Sequence, residues 1–128
     1  MSGKLSKQDR ISKRSEIEKV FELGKSASSG IIHLYMLAND LGRSRLAVVI
    51  SRRHGNAVRR NRVKRLCREA FRTCRDKLPQ SYDYIINPRV GVEFSVEAIK
   101  HSLQDLSARI VRSKGESEQK TCGKSAQM

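Results

Sequence analysis

Between Arg52 and Lys77 the sequence sets out eleven cationic side chains: Arg52, Arg53, Arg59, Arg60, Arg62, Lys64, Arg65, Arg68, Arg72, Arg75 and Lys77. Only Glu69 and Asp76 oppose them, so this stretch carries +9 of the chain's formal +14. The chemistry open to such a run is recognition of a polyanion. A guanidinium is planar, can fork onto two phosphate oxygens, and can stack on a base, which an ammonium cannot do. An ordinary solvated helix face mixes signs at i,i+4 to offset repulsion, and this one barely does. With a pI near 10.4, the domain would repel itself unless a polyanion neutralised it. Nucleic acid is the leading partner and an anionic membrane the second.

Residues that would let the polypeptide cut a chain itself are missing from the pattern. A protein nuclease needs clustered carboxylates for metal ions or a His placed as a general base, and no Asp-x-Asp or His-x-His pair occurs. His33, His54 and His101 are scattered without metal-ligand spacing, although His54, beside Arg53, could touch a phosphate. Cys67, Cys74 and Cys122 form no C-x-x-C pair. Their odd number suits reduced thiols, and the first two fall on an apolar stripe that reads as core. No catalytic residue is expected in the protein.

The elements that must position the cations follow from periodicity. Val63, Leu66, Cys67, Ala70, Phe71, Cys74 and Leu78 recur at three- and four-residue steps, which predicts a long amphipathic helix over residues 55–78. Asn56 is its N-cap and Pro79 lies just past its end. On that helix Arg60, Lys64, Arg68, Arg72 and Arg75 run along one flank, with Arg62 and Arg65 further round. Before it, Ser15 and Glu18 read as a capping box opening a short helix with Ile17, Val20 and Phe21 on one face and Gly24 as the stop. Residues 25–30 read as a loop of small residues. Strands follow over 31–37 and 46–50, joined by the Asn39-Asp40-Leu41-Gly42 turn as an antiparallel hairpin. A third strand covers 82–86, and Val96, Ile99, Leu103, Leu106 and Ile110 give a last helix.

The resulting order is helix, strand, strand, helix, strand, helix, an α+β fold read as a two-layer α/β sandwich. At 128 residues, 38% hydrophobic and without Trp, the chain holds one modest core. Residues 1–13 are expected to be a mobile basic N-terminus, 14–112 a single RNA-binding domain, and 113–128 a disordered polar tail. No apolar run nears the roughly 20 residues that span a bilayer, and residues 1–14 lack the apolar stretch of a secretory signal. A cytoplasmic protein without membrane association is expected. A strand rather than a helix precedes the basic helix, which weakens a helix-turn-helix DNA reader.

Residues 51–72 bring a resemblance. The Gly55-Asn56-Ala57 turn, the Arg60-Asn61-Arg62 box, Lys64-Arg65 and Arg68-Glu69-Ala70-Phe71 resemble the signature of the bacterial ribonuclease P protein family. The likeness runs roughly from Leu5 to Ile110. It implies a left-handed β-α-β crossover around the basic helix, a hand opposite to the one general rules favour. It implies an accessory subunit of an endoribonuclease that removes the 5′ leader of precursor tRNA. Catalysis then belongs to an RNA subunit, with Mg²⁺ bound mainly by that RNA. The partners implied are that catalytic RNA and precursor tRNA, and no protein partner is predicted.

Carried over by resemblance, Arg52, Arg53, Asn56, Arg59, Arg60, Asn61, Arg62, Lys64, Arg65 and Arg68 contact the catalytic RNA, with Arg52 and Arg53, at the strand end beside the helix start, able to serve either that RNA or the leader. Ile17, Phe21, Tyr35, Arg45 and Arg89 line a cleft for the single-stranded leader. Aromatic faces there would stack on splayed bases without demanding a sequence. Family members often have Phe where Ile17 stands, and Ile17 offers no ring face. Phe21 and Tyr35 each also fit a plain packing role on their elements. A ribosomal or chaperone-like RNA-binding protein is the principal rival reading, and a DNA-binding regulator the third.

Overall fold

Alternation along the strands decides which side of the sheet each residue serves. The computed structural model describes residues 10–114 apart from Ser12 and Glu93. In β2 (Ile32–Ala38), Ile32, Leu34 and Met36 are buried on one face, while His33, Tyr35 and Leu37 look to the other. β3 (Arg45–Val48) and β4 (Tyr82–Pro88) divide in the same way. Leu46, Tyr84 and Ile86 join the first set, and Ala47 and Ile85 the second.

The first face is covered by two long helices, α2 (Ala57–Cys74) and α3 (Val96–Lys114). Val63, Cys67, Ala70, Phe71 and Cys74 of α2 meet Ile99, Leu103, Leu106 and Ile110 of α3 in one cluster with the sheet. Sheet and helix pair are the two layers of the sandwich. Phe71 and Tyr84 meet edge to face at 5.3 Å between ring centres. Each large side chain buried here contributes about 1.5–3 kcal/mol relative to exposure. Burial pushes the Cys67 thiol up to about 12, so it packs as a small apolar group. The shorter α1 (Arg14–Leu23) lies on the opposite face, with Val20 buried against Ala47 and Ile85.

Three connections differ from the sequence expectation. Residues 25–28 form a strand, β1 (Lys25–Ser28), antiparallel to β2 with Ser26 opposite Tyr35. Lys-Ser-Ala-Ser has no strand propensity of its own, and β2 imposes the pairing. The antiparallel hairpin is therefore β1–β2. The strand order is β1-β2-β4-β3, with β4 inserted between the two strands expected to pair, antiparallel to β2 and parallel to β3. The link β3–α2–β4 is thus a β-α-β crossover between adjacent strands. Gly24 does end α1, because a Cβ there would lie 2.5 Å from the Met36 carbonyl oxygen.

The ends of the helices also need correction. α1 begins one residue before Ser15, with Lys13 at the N-cap position and no side-chain cap, so the expected capping box is not formed. The α-helical part of the basic segment stops at Cys74 and tightens into a 3₁₀ turn, Arg75–Lys77. Within residues 1–13, the segment expected to be mobile, Arg10 and Ile11 are placed against β3. Arg10 bridges to Leu46 in parallel, the Ile11 N–H donates to the Leu46 carbonyl at 3.0 Å, and Ile11 is buried. Residues 1–9 and 115–128, with most of the expected tail, lie outside the described residues. Among the described residues no helix is long and apolar enough to cross a membrane.

Candidate nucleic-acid interface

The start of the basic helix is built by three short-range devices in sequence. Ser51 accepts from the Arg53 N–H at 3.0 Å and opens a 3₁₀ turn, Arg52–His54. Gly55 then takes φ +118°, a conformation that side chains with a Cβ rarely adopt. Asn56 caps α2, its side-chain oxygen accepting from the Arg59 N–H at 3.0 Å. His54, expected as a candidate phosphate contact, is instead buried. Its Nε2 lies 2.9 Å from the Pro88 carbonyl and donates to it, with the Phe94 ring alongside. It anchors the start of the basic helix to the end of β4.

From that anchor the cations spread over the outer side of α2. Arg52, Arg53, Arg59, Asn61, Arg62 and Arg65 are exposed; Arg60, Lys64 and Arg68 are partly covered. Among the described residues no carboxylate pairs with any of these eight cations. Farther along, Arg72 is tied to Glu69, Nε to Oε1 at 3.2 Å, and Arg75 lies 5.8 Å above the Phe71 ring. The cationic flank is therefore uncompensated in its first half and internally engaged in its second. Among the described residues the buried Arg60 Nε has no hydrogen-bond partner.

The opposite face of the sheet carries a row of rings. Phe21 of α1 meets Tyr35 edge-on at 4.6 Å, and Tyr35 stacks on His33 at 4.6 Å with planes 17° apart. Ile17 packs beside them, partly buried. Phe21 keeps 39% of its surface exposed, so its ring is open to solvent while one edge packs. Sequence reasoning gave His33 no role, although its i,i+2 relation to Tyr35 already placed both on this face. Arg89 is exposed just past the end of β4, its Nε donating to the Ser29 carbonyl at 2.8 Å.

Arg45 does not join that row as an available cation. Its Nε and Nη2 each sit 2.9 Å from an Asp83 oxygen, and Nη1 lies 3.3 Å from Glu16 Oε1. The side chain is 15% exposed and its partner Asp83 8%. It ties β3, β4 and α1 together, so the guanidinium expected to meet the leader is already engaged by two carboxylates of the fold.

Both surfaces meet at one end of the sheet. There β3 runs into the Arg52–His54 turn, β4 ends at Pro88, and His33 stands opposite Asn87. The His54–Pro88 bond joins the two sides. Among the described residues no three His, Cys, Asp or Glu side chains converge, and Asp83 and Glu69 are already held by arginines.

Comparison with known proteins agrees with this architecture. The family model described as Ribonuclease P matches residues 5–111. The ribonuclease P protein component of Pelotomaculum thermopropionicum is 41% identical over 102 residues, covering 79% of this chain and 91% of that protein. That of Bacillus pumilus is 38% identical over 104 residues, covering 80% and 87%. Among solved structures, the RNase P protein from Thermotoga maritima superposes with a TM-score of 0.71 at 29% identity, covering 79% of this chain and 96% of that one. The Staphylococcus aureus RNase P protein gives 0.68 at 26% identity, covering 81% and 95%.

Proposed function

Because the chain belongs to the ribonuclease P protein family, we propose that it is the cytoplasmic accessory subunit that binds a catalytic RNA and the 5′ leader of precursor tRNA. The observation that carries this reading is the run of eight cations from Arg52 to Arg68, which no carboxylate among the described residues pairs, oriented by an apolar stripe buried beneath it. Such a surface binds phosphates by geometry, and each phosphate neutralised releases condensed counterions. The ring row on the other face is the leader side, where splayed bases stack on Phe21 and Tyr35.

Chemistry belongs to the RNA and the Mg²⁺ it holds. The polypeptide screens repulsion between two RNAs and fixes the leader. By linkage, that raises the occupancy of the RNA's own metal sites without a protein ligand. The folded-RNA partner is favoured over duplex DNA because α2 is preceded by a strand and a 3₁₀ turn, leaving no helix-turn-helix unit.

The test is cleavage of a precursor tRNA by a bacterial catalytic RNA at low Mg²⁺, with and without this protein. Restored cleavage at the mature 5′ end is the expected result. Tight binding to that RNA with cleavage unchanged at every Mg²⁺ concentration, using a catalytic RNA from each structural class, would leave only a general RNA-binding role.

A further inference from the structure

The ring row ends in polar side chains that stacking does not use. One step beyond Tyr35 along β2, His33 stands opposite Ser28 on β1 and Asn87 on β4. Residues directly opposite in antiparallel pairs share a face, so three polar side chains gather at this end of the cleft. Arg89 closes the rim. Its backbone N–H donates to the Ile31 carbonyl at 2.9 Å and its Nε to that of Ser29 at 2.8 Å, which fixes the guanidinium in place. Among the described residues neither Arg89 nor His33 has a carboxylate partner.

This end of the sheet face therefore combines an anchored cation with a titratable ring, and no carboxylate among the described residues pairs with either. Partial burial, then the charge of Arg89, hold the His33 imidazole below its ordinary range. The other groups around it add no counter-charge. Tyr35 and Phe21 present rings, Ser26 and Ser28 are neutral, and Lys25 alternates to the far face opposite Met36. On α1, Glu18 is taken by Arg14 and Glu22 is exposed.

We infer that this end of the cleft is a phosphodiester subsite, in which His33 takes up a proton as a backbone phosphate of the leader settles between it and Arg89. The inference rests on the leader-cleft reading above. An anion there removes the repulsion between the two cations and favours the imidazolium. By linkage, leader affinity rises as pH falls through the bound-state value of His33, and levels off below the lower free-state value. Above the bound-state value the ring is neutral in both states and the gain vanishes. Raising the imidazole by about one unit on binding would give about tenfold in affinity.

The experiment measures binding of leader-bearing and mature tRNA to the reconstituted holoenzyme, without turnover, from pH 5.5 to 8. The ratio of the two affinities is expected to climb about tenfold toward acid for the wild type and to stay flat for His33→Gln. An equal slope in both proteins, or no slope in the wild type, overturns the subsite while leaving the cleft intact. If the wild type shows no preference for the leader at any pH, the cleft reading and the subsite fall together. A second readout follows the His33 imidazole by NMR in the intact protein as a short single-stranded oligoribonucleotide is added. Its titration should move to higher pH, and an unmoved midpoint at saturation also overturns the proposal.

Discussion

Arg45 grips Asp83 through two parallel bonds of 2.9 Å, although the residues stand 38 positions apart in the chain. Planar two-point contact between guanidinium and carboxylate is the strongest form of this pairing, and Asp83 lies in the sheet with little water to fall back on. Replacing Arg45 with Ala leaves that carboxylate buried without its counter-charge, with only the Asn39 amide donating to it at 2.8 Å. A loss of about 3 kcal/mol is expected, visible as a lower urea midpoint at neutral pH. The loss should shrink when Asp83 is also made Asn, since the stranded charge is then gone.

Arg60 and Arg62 belong to the uncompensated half of the basic helix. Changing both to Ala should leave the thermal midpoint nearly unchanged, because neither side chain forms an ion pair within the described fold. Affinity for the catalytic RNA should fall. The slope of log affinity against log salt should flatten by roughly 1.5–2, since each phosphate no longer neutralised takes away close to one unit. A folded variant with unaltered slope would move the RNA surface elsewhere.

Phe21 separates packing from binding. A fully buried Phe truncated to Ala costs about 3–5 kcal/mol, and Phe21 is 39% exposed, so its replacement should cost clearly less. Removing a ring on which a base stacks costs about 1–3 kcal/mol of binding. Phe21→Ala should therefore weaken leader-bearing substrate by tenfold or more and spare mature tRNA. Equal weakening of both would assign the ring to the core.

Two positions set the start of the basic helix. Asn56→Ala removes the cap bond to the Arg59 N–H and should cost about 1 kcal/mol. Gly55→Ala forces a Cβ into φ +118° and should cost at least as much. Both should reduce RNA affinity more than their stability loss alone explains, since Arg52, Arg53 and Arg59 flank the turn. Parallel denaturation and RNA titration check this.

Much of this architecture is legible in the amino-acid sequence. α2 and α3 announce themselves because their apolar residues keep helical period over four or five turns, and Asn56 because capping is a local bond. His33 and Tyr35 fall on one face by simple alternation. What stays hidden is non-local. β1 exists only because β2 offers a partner, and β4 enters between β2 and β3 after a detour of more than thirty residues. Nothing near Arg45 in the chain shows that Asp83 and Glu16 will claim it. Ser15 misleads for a related reason, as the docking of Ile11 onto β3 sets where α1 begins.

The central place of β4 has a consequence for synthesis. The strand is hydrogen-bonded on both sides, yet it emerges from the ribosome after everything it joins except α3. Until then β2 and β3 have no common neighbour, and the apolar stripe of α2 has neither a finished sheet nor α3 to rest on. Long-range pairing of this kind is slow to form and leaves apolar surface open while it waits. The nascent chain thus passes through an interval as an unburied, strongly cationic amphipathic segment beside the ribosome's own RNA. Folding is postponed until residues 82–88 have emerged, and no N-terminal fragment ending before residue 82 can form the four-stranded sheet.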